Sequence, residues 1–300
     1  MKVVVGGSHG LIGGALVAAL VGNGHEVTRL VRNNRPGPGE AAWDPAAGTI
    51  EADKLEGHDA AVNLGGVGIG DHRWTDDHKR AVLDSRVQST GLLARTLAEL
   101  DSPPGVLASG SAVGFYGADR GDEELTETSS NGGGFLADAV AQWEEAAAPA
   151  ADAGIRVVRM CSGVVLSAEG GALKKQLLPF KAGIAGRIGT GRQWLSWISI
   201  DDEVRAITHI LTTDEVRGAV NVTSPQPVTN AEFTATLARV LKRPAVIPVP
   251  TPALQLLFGK EMVEEMMLGG QRVLPAALQA SGFDFAYPAL EEALRHLLRR

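Results

Sequence analysis

Cysteine is nearly missing from this chain: Cys161 is the only one, so no disulfide can close within the chain and no thiolate metal site can assemble. It lies in the run Val157-Val158-Arg159-Met160-Cys161, which reads as a buried strand, and a small packed thiol accounts for it better than a nucleophile. Tyrosine is scarce too, with only Tyr116 and Tyr287. The seven histidines (9, 25, 58, 72, 78, 209 and 296) are scattered. They form no H-x-x-x-H pair and no Ser/His/Asp arrangement, which argues against metal catalysis and hydrolysis. No window holds the roughly 18 uninterrupted apolar residues that a membrane span needs. There is no Lys/Arg cluster beyond Arg299-Arg300, and the formal net charge is −7, so no nucleic-acid partner is expected. The acidic balance serves solubility. A strand pattern begins at Lys2, leaving no room for a signal peptide. These absences predict a cytoplasmic protein.

What is present is an alternation of short apolar runs and helical patterns, the signature of βαβ units feeding a parallel sheet. Strands are predicted over 3–6, 25–31, 59–64, 106–109 and 155–161, and helices over 11–21, 75–100 and 137–153. Thr75 caps the long helix, with Asp76 and Asp77 well placed against its dipole. A Gly/Pro-rich excursion spans 36–48. After about residue 170 the texture changes. A glycine-rich loop over 183–191 carries Arg187 and leads through Arg192 to Trp194 and Trp197. A helix opens at Asp201-Asp202-Glu203 and a strand returns over 219–223. Thr229-Asn230-Ala231-Glu232 is a capping box for a helix to Leu241, and a Pro-punctuated stretch leads to a helical tail.

Between the first strand and the first helix stands Gly7-Ser8-His9-Gly10-Leu11-Ile12-Gly13, a G-x-x-G-x-x-G spacing. Its first glycine permits a tight turn, its second lets backbone approach a pyrophosphate, and its third lets helix and strand pack closely. Phosphates would lie on the helix start, where free N–H groups and the dipole favour anions. Gly7, Ser8, Gly10, Leu11, Ile12 and Gly13 are therefore predicted to hold a dinucleotide. The second strand ends in Val31-Arg32-Asn33-Asn34-Arg35, with no acid where NAD binders place one for the ribose hydroxyl. A guanidinium there suits a 2′-phosphate. The prediction is NADP(H), with Val31 beside it and Arg32, helped by Arg35, on the phosphate; a solvated strand-end arginine is the alternative.

With these segments in view, the chain resembles the extended short-chain dehydrogenase/reductase superfamily. Asn63-Leu64-Gly65-Gly66 resembles the N-x-A-G element beside the adenosine. The run from Ser109 to Gly117 resembles the serine strand that leads into a Tyr-Gly corner. Trp197-Ile198-Ser199-Ile200-Asp201-Asp202 resembles the W-I-H-x-x-D element of sugar-nucleotide epimerases. The closer match is an atypical branch, the epimerase-family proteins, sometimes labelled cell-division inhibitors. It rests on Arg73-Trp74, Asp84-Ser85-Arg86, Trp143-Glu144, Ser162 to Leu166, Gly191-Arg192-Gln193-Trp194, and a C-terminal module carrying Gly270 to Pro275 and Gly282-Phe283. The resemblance implies that Leu64, Gly65, Gly66 and Ser109 touch the cofactor. It also implies that Arg86, where many superfamily members have asparagine, faces the cofactor; an exposed arginine paired with Asp84 is the alternative. In the wider superfamily a Tyr-x-x-x-Lys helix moves the proton. Here that helix reads Phe135-Leu136-Ala137-Asp138-Ala139-Val140-Ala141-Gln142, and the dyad is absent.

Ser111, at a strand's carboxyl end, could orient a carbonyl, and Tyr116 could act as the acid; equally, they are a strand-end hydroxyl and a packed corner. The carboxylates from Asp119 to Glu127 read as a solvated loop rather than a metal site. In the 183–197 segment, Arg187, Trp194 and Trp197 offer a cation and flat apolar surfaces to a small substrate, or simply pack domains. The expected architecture is an α/β, Rossmann doubly wound parallel sheet over 1–170 with a contribution from about 200–224. A smaller C-terminal substrate subdomain takes 171–199 and 225–300. The expected function is an NADP(H)-dependent oxidoreductase or epimerase acting on a small molecule, with a non-catalytic NADP(H)-binding scaffold or sensor as the alternative. Neither reading needs a membrane, and both are compatible with an oligomer.

Overall fold

The computed structural model describes residues 1–32 and 35–299. Along the chain run β1 (Lys2–Gly6), α1 (Leu11–Gly22), β2 (Glu26–Val31), β3 (Glu40–Asp44), β4 (Thr49–Ile50), β5 (Ala60–Asn63), α2 (Asp76–Ala98) and β6 (Val106–Ala112). Next come β7 (Asp119–Leu125), α3 (Phe135–Glu145), α4 (Ala148–Asp152), β8 (Arg156–Ser162), β9 (Val164–Leu166) and α5 (Gly171–Lys181). Then follow β10 (Trp194–Leu195), β11 (Trp197–Ser199), α6 (Ile200–Thr212), β12 (Gly218–Val222), β13 (Val228–Thr229) and α7 (Asn230–Leu241). The chain finishes with α8 (Thr251–Phe258), α9 (Lys260–Val263), β14 (Gly270–Val273), α10 (Ala276–Ala280) and α11 (Leu290–Leu297).

Eight strands form one sheet in the order β12-β8-β6-β5-β1-β2-β3-β4. Pairing is parallel from β12 to β3, and β4 runs antiparallel to β3. Side chains of a strand alternate between faces. Val3 and Val5 of β1 accordingly pack with Leu16 and Leu20 of α1 and Ile207 and Ile210 of α6. Val4 packs on the other face with Leu92, Leu93 and Leu97 of α2. Burial on both faces is why these strands read as continuous apolar runs. The chain steps from β1 out to β2 and β3, then back across β1 to β5, β6 and β8. Direction reverses between β1 and β5, and the crevice at their carboxyl ends is where such sheets bind ligands.

A separate apolar cluster unites Leu173, Leu177 and Phe180 of α5, Trp197 of β11, Phe233 and Leu237 of α7, and Leu290 and Leu294 of α11. Among the described residues no helix is long and apolar enough to cross a membrane.

Three local expectations change. The helix expected over 137–153 starts at Phe135 and splits into α3 and α4 before Pro149, which has no N–H to continue the ladder. The 36–48 excursion contains β3, parallel to β2. The acidic run after Tyr116 is solvent-exposed as expected but is strand rather than loop: it forms β7, parallel to β14. There Glu124 pairs with Arg272 at 3.0 Å, and Glu127 accepts the backbone N–H groups of Asn221 and Ala277 at 3.0 Å each.

Candidate active site at the carboxyl edge of the sheet

The glycine turn is built by close backbone approach. Gly7 has φ +75°, and a Cβ there would lie 2.6 Å from the carbonyl carbon of Leu64. A Cβ on Gly13 would lie 2.2 Å from the Gly7 oxygen, which itself accepts the Gly10 N–H at 2.9 Å. The turn thus nests on residues 64 and 65. α1 begins at Gly10 with no side-chain cap and no acid in its first turn. An uncapped, carboxylate-free helix start behind a glycine cradle fits a pyrophosphate. Ser8 is buried in the turn, and Leu11 faces Gly170 and Gly171, where added Cβ atoms would sit 3.0 and 3.2 Å from it. Ile12 packs on the apolar cluster beneath α1.

At the end of β2, Val31 is buried and Arg32 is exposed. The nearby acid is already engaged: Glu40 pairs with Arg29 at 2.6 Å and accepts the Gly37 N–H. Among the described residues Arg32 has no ion-pair partner. Arg35 is exposed.

At the end of β5 a buried polar node holds three elements together. Asn63, fully buried, donates to Thr90 Oγ1 at 2.9 Å and accepts the Gly65 N–H at 3.1 Å. Thr90 also receives Trp143 Nε1 at 2.9 Å. The Trp143 ring lies so close to Gly110 that a Cβ there would be 2.7 Å from it. Ser109 is buried between, in β6. Gly66 presses on Arg86, 3.1 Å from its Cζ if given a Cβ. Arg86 donates Nη1 to the carbonyls of Val67 and Val82, both at 2.9 Å. Its guanidinium stacks 5.0 Å from the centre of the Trp143 ring. Burial lowers its pKa to about 10. It does not pair with Asp84.

Ser111, buried at the carboxyl end of β6, donates to Glu144 Oε1 at 2.5 Å. Glu144 is itself buried in the last turn of α3, with Arg159 Nη1 3.6 Å from Oε2. Cys161 Sγ lies 3.4 Å from Ser111 Oγ. Burial pushes this thiol well above the usual cysteine range, which keeps it protonated. Trp143-Glu144 is one of the pieces of the family resemblance, but no local pattern gives Glu144 a partner; the placement of α3 on β6 makes it Ser111's.

Three expected site residues are corrected. Tyr116 does not present its hydroxyl to the crevice: it is 1% exposed and donates to Asn221 Oδ1 at 2.8 Å and to the Thr126 carbonyl at 3.1 Å. Burial raises its pKa above the ordinary value, so it is a poor acid. Trp197 offers no surface to a substrate, being fully buried in the α5–α7–α11 cluster with Nε1 on the Gln226 carbonyl. Trp194 is taken up structurally as well. Its Nε1 donates to Asp122 at 2.8 Å, and Arg272 lies 4.8 Å over its ring. Arg187 is exposed, and its loop is pinned to the segment before α8 through an Ile188–Val249 bridge. Among the described residues no three His, Cys, Asp or Glu side chains gather as a metal site.

Residues 3–223 match the model of the NAD dependent epimerase/dehydratase family. The chain belongs to that family. A second model, a domain of unknown function named DUF1731, matches residues 249–297, the span from α8 through α11. Epimerase family protein Mb2239 of Mycobacterium bovis is 42% identical over 298 residues, covering 99% of this chain and 98% of its own. The crystal structure of human epimerase family protein SDR39U1 with NADPH is similar at TM-score 0.91 and 38% identity, over 100% of both chains. A nucleoside-diphosphate sugar epimerase from Corynebacterium glutamicum is similar at TM-score 0.81 and 38% identity, over 99% of this chain and 58% of that one. The Gly7–Gly13 turn lies within the first matched span, and β14, which pairs with β7, lies within the second.

Proposed function

We propose that this family member binds NADP(H) on the Gly7–Gly13 turn and passes hydride to or from a small substrate, with Ser111 and Glu144 carrying the proton. The observation that carries this reading is the 2.5 Å hydrogen bond from buried Ser111 to buried Glu144, at the sheet edge where the Tyr-x-x-x-Lys pair is missing. The human relative crystallised with NADPH supports the cofactor, and Arg32, which has no ion-pair partner among the described residues, is suited to its 2′-phosphate. Bound NADP(H) supplies the hydride donor or acceptor. In the oxidative direction, Ser111 Oγ takes the proton of the substrate hydroxyl while its own proton moves to Glu144 Oε1; the reductive direction reverses both transfers. Arg159 Nη1 lies 3.6 Å from the other carboxylate oxygen, Oε2. The substrate enters beneath the roof formed by 171–199 and 225–300.

The test follows NADPH oxidation across a panel of carbonyl compounds and sugar nucleotides. Against a substrate so found, Ser111→Ala and Glu144→Gln should each lower kcat by about 10²-fold or more, the size of a general acid–base contribution, with NADPH affinity kept. Unchanged kcat in both variants refutes the proton path. A second reading, an NADP(H)-binding scaffold or sensor without turnover, draws on the sealed hydroxyl of Tyr116. Tight NADPH binding with no oxidation by any panel member would select it.

A further inference from the structure

A guanidinium that leaves water is normally compensated by a carboxylate or a phosphate. Arg86 lacks that compensation. Its Nη1 serves two backbone carbonyls, which carry no net charge. Among the described residues it meets no carboxylate, and Nε and Nη2 donate to no protein atom. Those two nitrogens are not sealed in the interior either. The group is nevertheless firmly oriented: the Trp143 ring covers one side at 5.0 Å, Gly66 closes another, and both carbonyl bonds hold Nη1. An oriented, half-buried cation with an unused edge is a receptor for a planar pair of anionic oxygens.

Its place in the fold says whose oxygens. On one side lies the 64–66 loop that cradles the glycine turn. On the other, the ring it stacks on belongs to the residue preceding Glu144, the acceptor of Ser111's proton. We propose that Arg86 seats an anionic group of the substrate, a carboxylate or phosphate, and so selects a small hydroxy or oxo compound charged close to its reacting carbon. This inference rests on the hydride-transfer reading for what it says about the substrate, but the binding itself needs no turnover.

The test uses the full chain saturated with NADPH, titrated calorimetrically with malonate and, separately, with inorganic phosphate; the two probes distinguish the kind of anion. Wild type should bind at least one of them saturably. Arg86→Gln should weaken that binding by about tenfold or more, and Arg86→Lys by less, because it keeps the charge but loses the planar fork. Both variants should bind NADPH as wild type does. Should the glutamine variant misfold, the lysine variant still decides, since it must retain NADPH and show the weaker anion binding. The proposal is overturned if neither probe binds wild type, or if the variants bind the probe unchanged. It is also overturned if Arg86→Gln loses NADPH instead, which would give the arginine to the cofactor's own phosphates. A panel that yields no product would defeat the hydride-transfer reading while leaving this binding result standing.

Discussion

Glu203 shows how much chemistry one buried side chain can impose. It stands in the first turn of α6 with no exposed surface, and Ser162 Oγ donates to its Oε1 at 2.8 Å while Oε2 has no partner among the described residues. Burial pushes its carboxyl up from 4.5 to about 7. The folded chain therefore holds this proton more tightly than the unfolded chain does. Its contribution to stability is fully present below pH 4.5 and is lost as pH rises through about 7. The shift corresponds to about 3 kcal/mol at most. Glu203→Met should flatten that part of the profile: urea unfolding at pH 5 and pH 8 should show wild type losing stability at the higher pH and the variant losing distinctly less. Equal losses would mean that another group titrates. The same residue-scale logic explains why Tyr116 misled. A tyrosine beside a strand end looks like an acid, but its direction depends on Asn221, 105 positions downstream.

Helix α3 is the element on which the candidate site turns. Its last turn carries Trp143 and Glu144, yet its start has no cap of its own: Gly134, at φ +101°, offers no side chain. The missing cap comes from the C-terminal module. Glu265 accepts the N–H groups of Phe135 and Leu136 at 3.1 Å each, and a Cβ on Gly134 would stand 3.0 Å from that carboxylate. Removing a cap of this kind costs about 1–2 kcal/mol. Glu265→Ala should lower stability by that amount and speed hydrogen exchange at Phe135 and Leu136, with Glu265→Gln falling between. Exchange at those amides unchanged in the alanine variant would show that the cap is dispensable. The contrast with α7 is instructive. There Thr229 and Glu232 form the capping box their spacing predicts, because both partners lie within one turn. The cap of α3 bridges 130 residues, and no local pattern announces it. Pro149, by contrast, stood in plain view, and the break between α3 and α4 follows from its missing N–H.

At the scale of the whole molecule, ligand and fold share one free energy. A ligand that binds only the folded chain stabilises it by about 2.7 kcal/mol when present at 100 times its Kd. At equal concentrations NADPH should therefore raise the melting temperature of wild type more than NADH does, and Arg32→Asp should erase the difference. A preference for NADPH that survives the substitution would assign the 2′-phosphate to another group. The molecule also explains why the C-terminal module travels with the sheet. Its β14 pairs with β7, its Glu265 caps α3, and the Ala277 N–H at the start of α10 meets Glu127 beside β12.

The alternation of apolar runs with helical periods, the glycine turn and the capping residues act over a few positions. From them the doubly wound parallel sheet could be read directly, as could the family through its ordered motifs. Side-chain direction at a strand end, and the partner met there, are long-range properties. Trp197 looked like a binding surface and is core, because α5, α7 and α11 close over it. Glu144 stood in the sequence only as part of a family motif with no role assigned, and it accepts Ser111's hydrogen bond because α3 packs on β6 there. Burial is what turns such encounters into chemistry: removing water strengthens each pairing and penalises each unpaired charge, and only the packed chain determines which groups lose their water together.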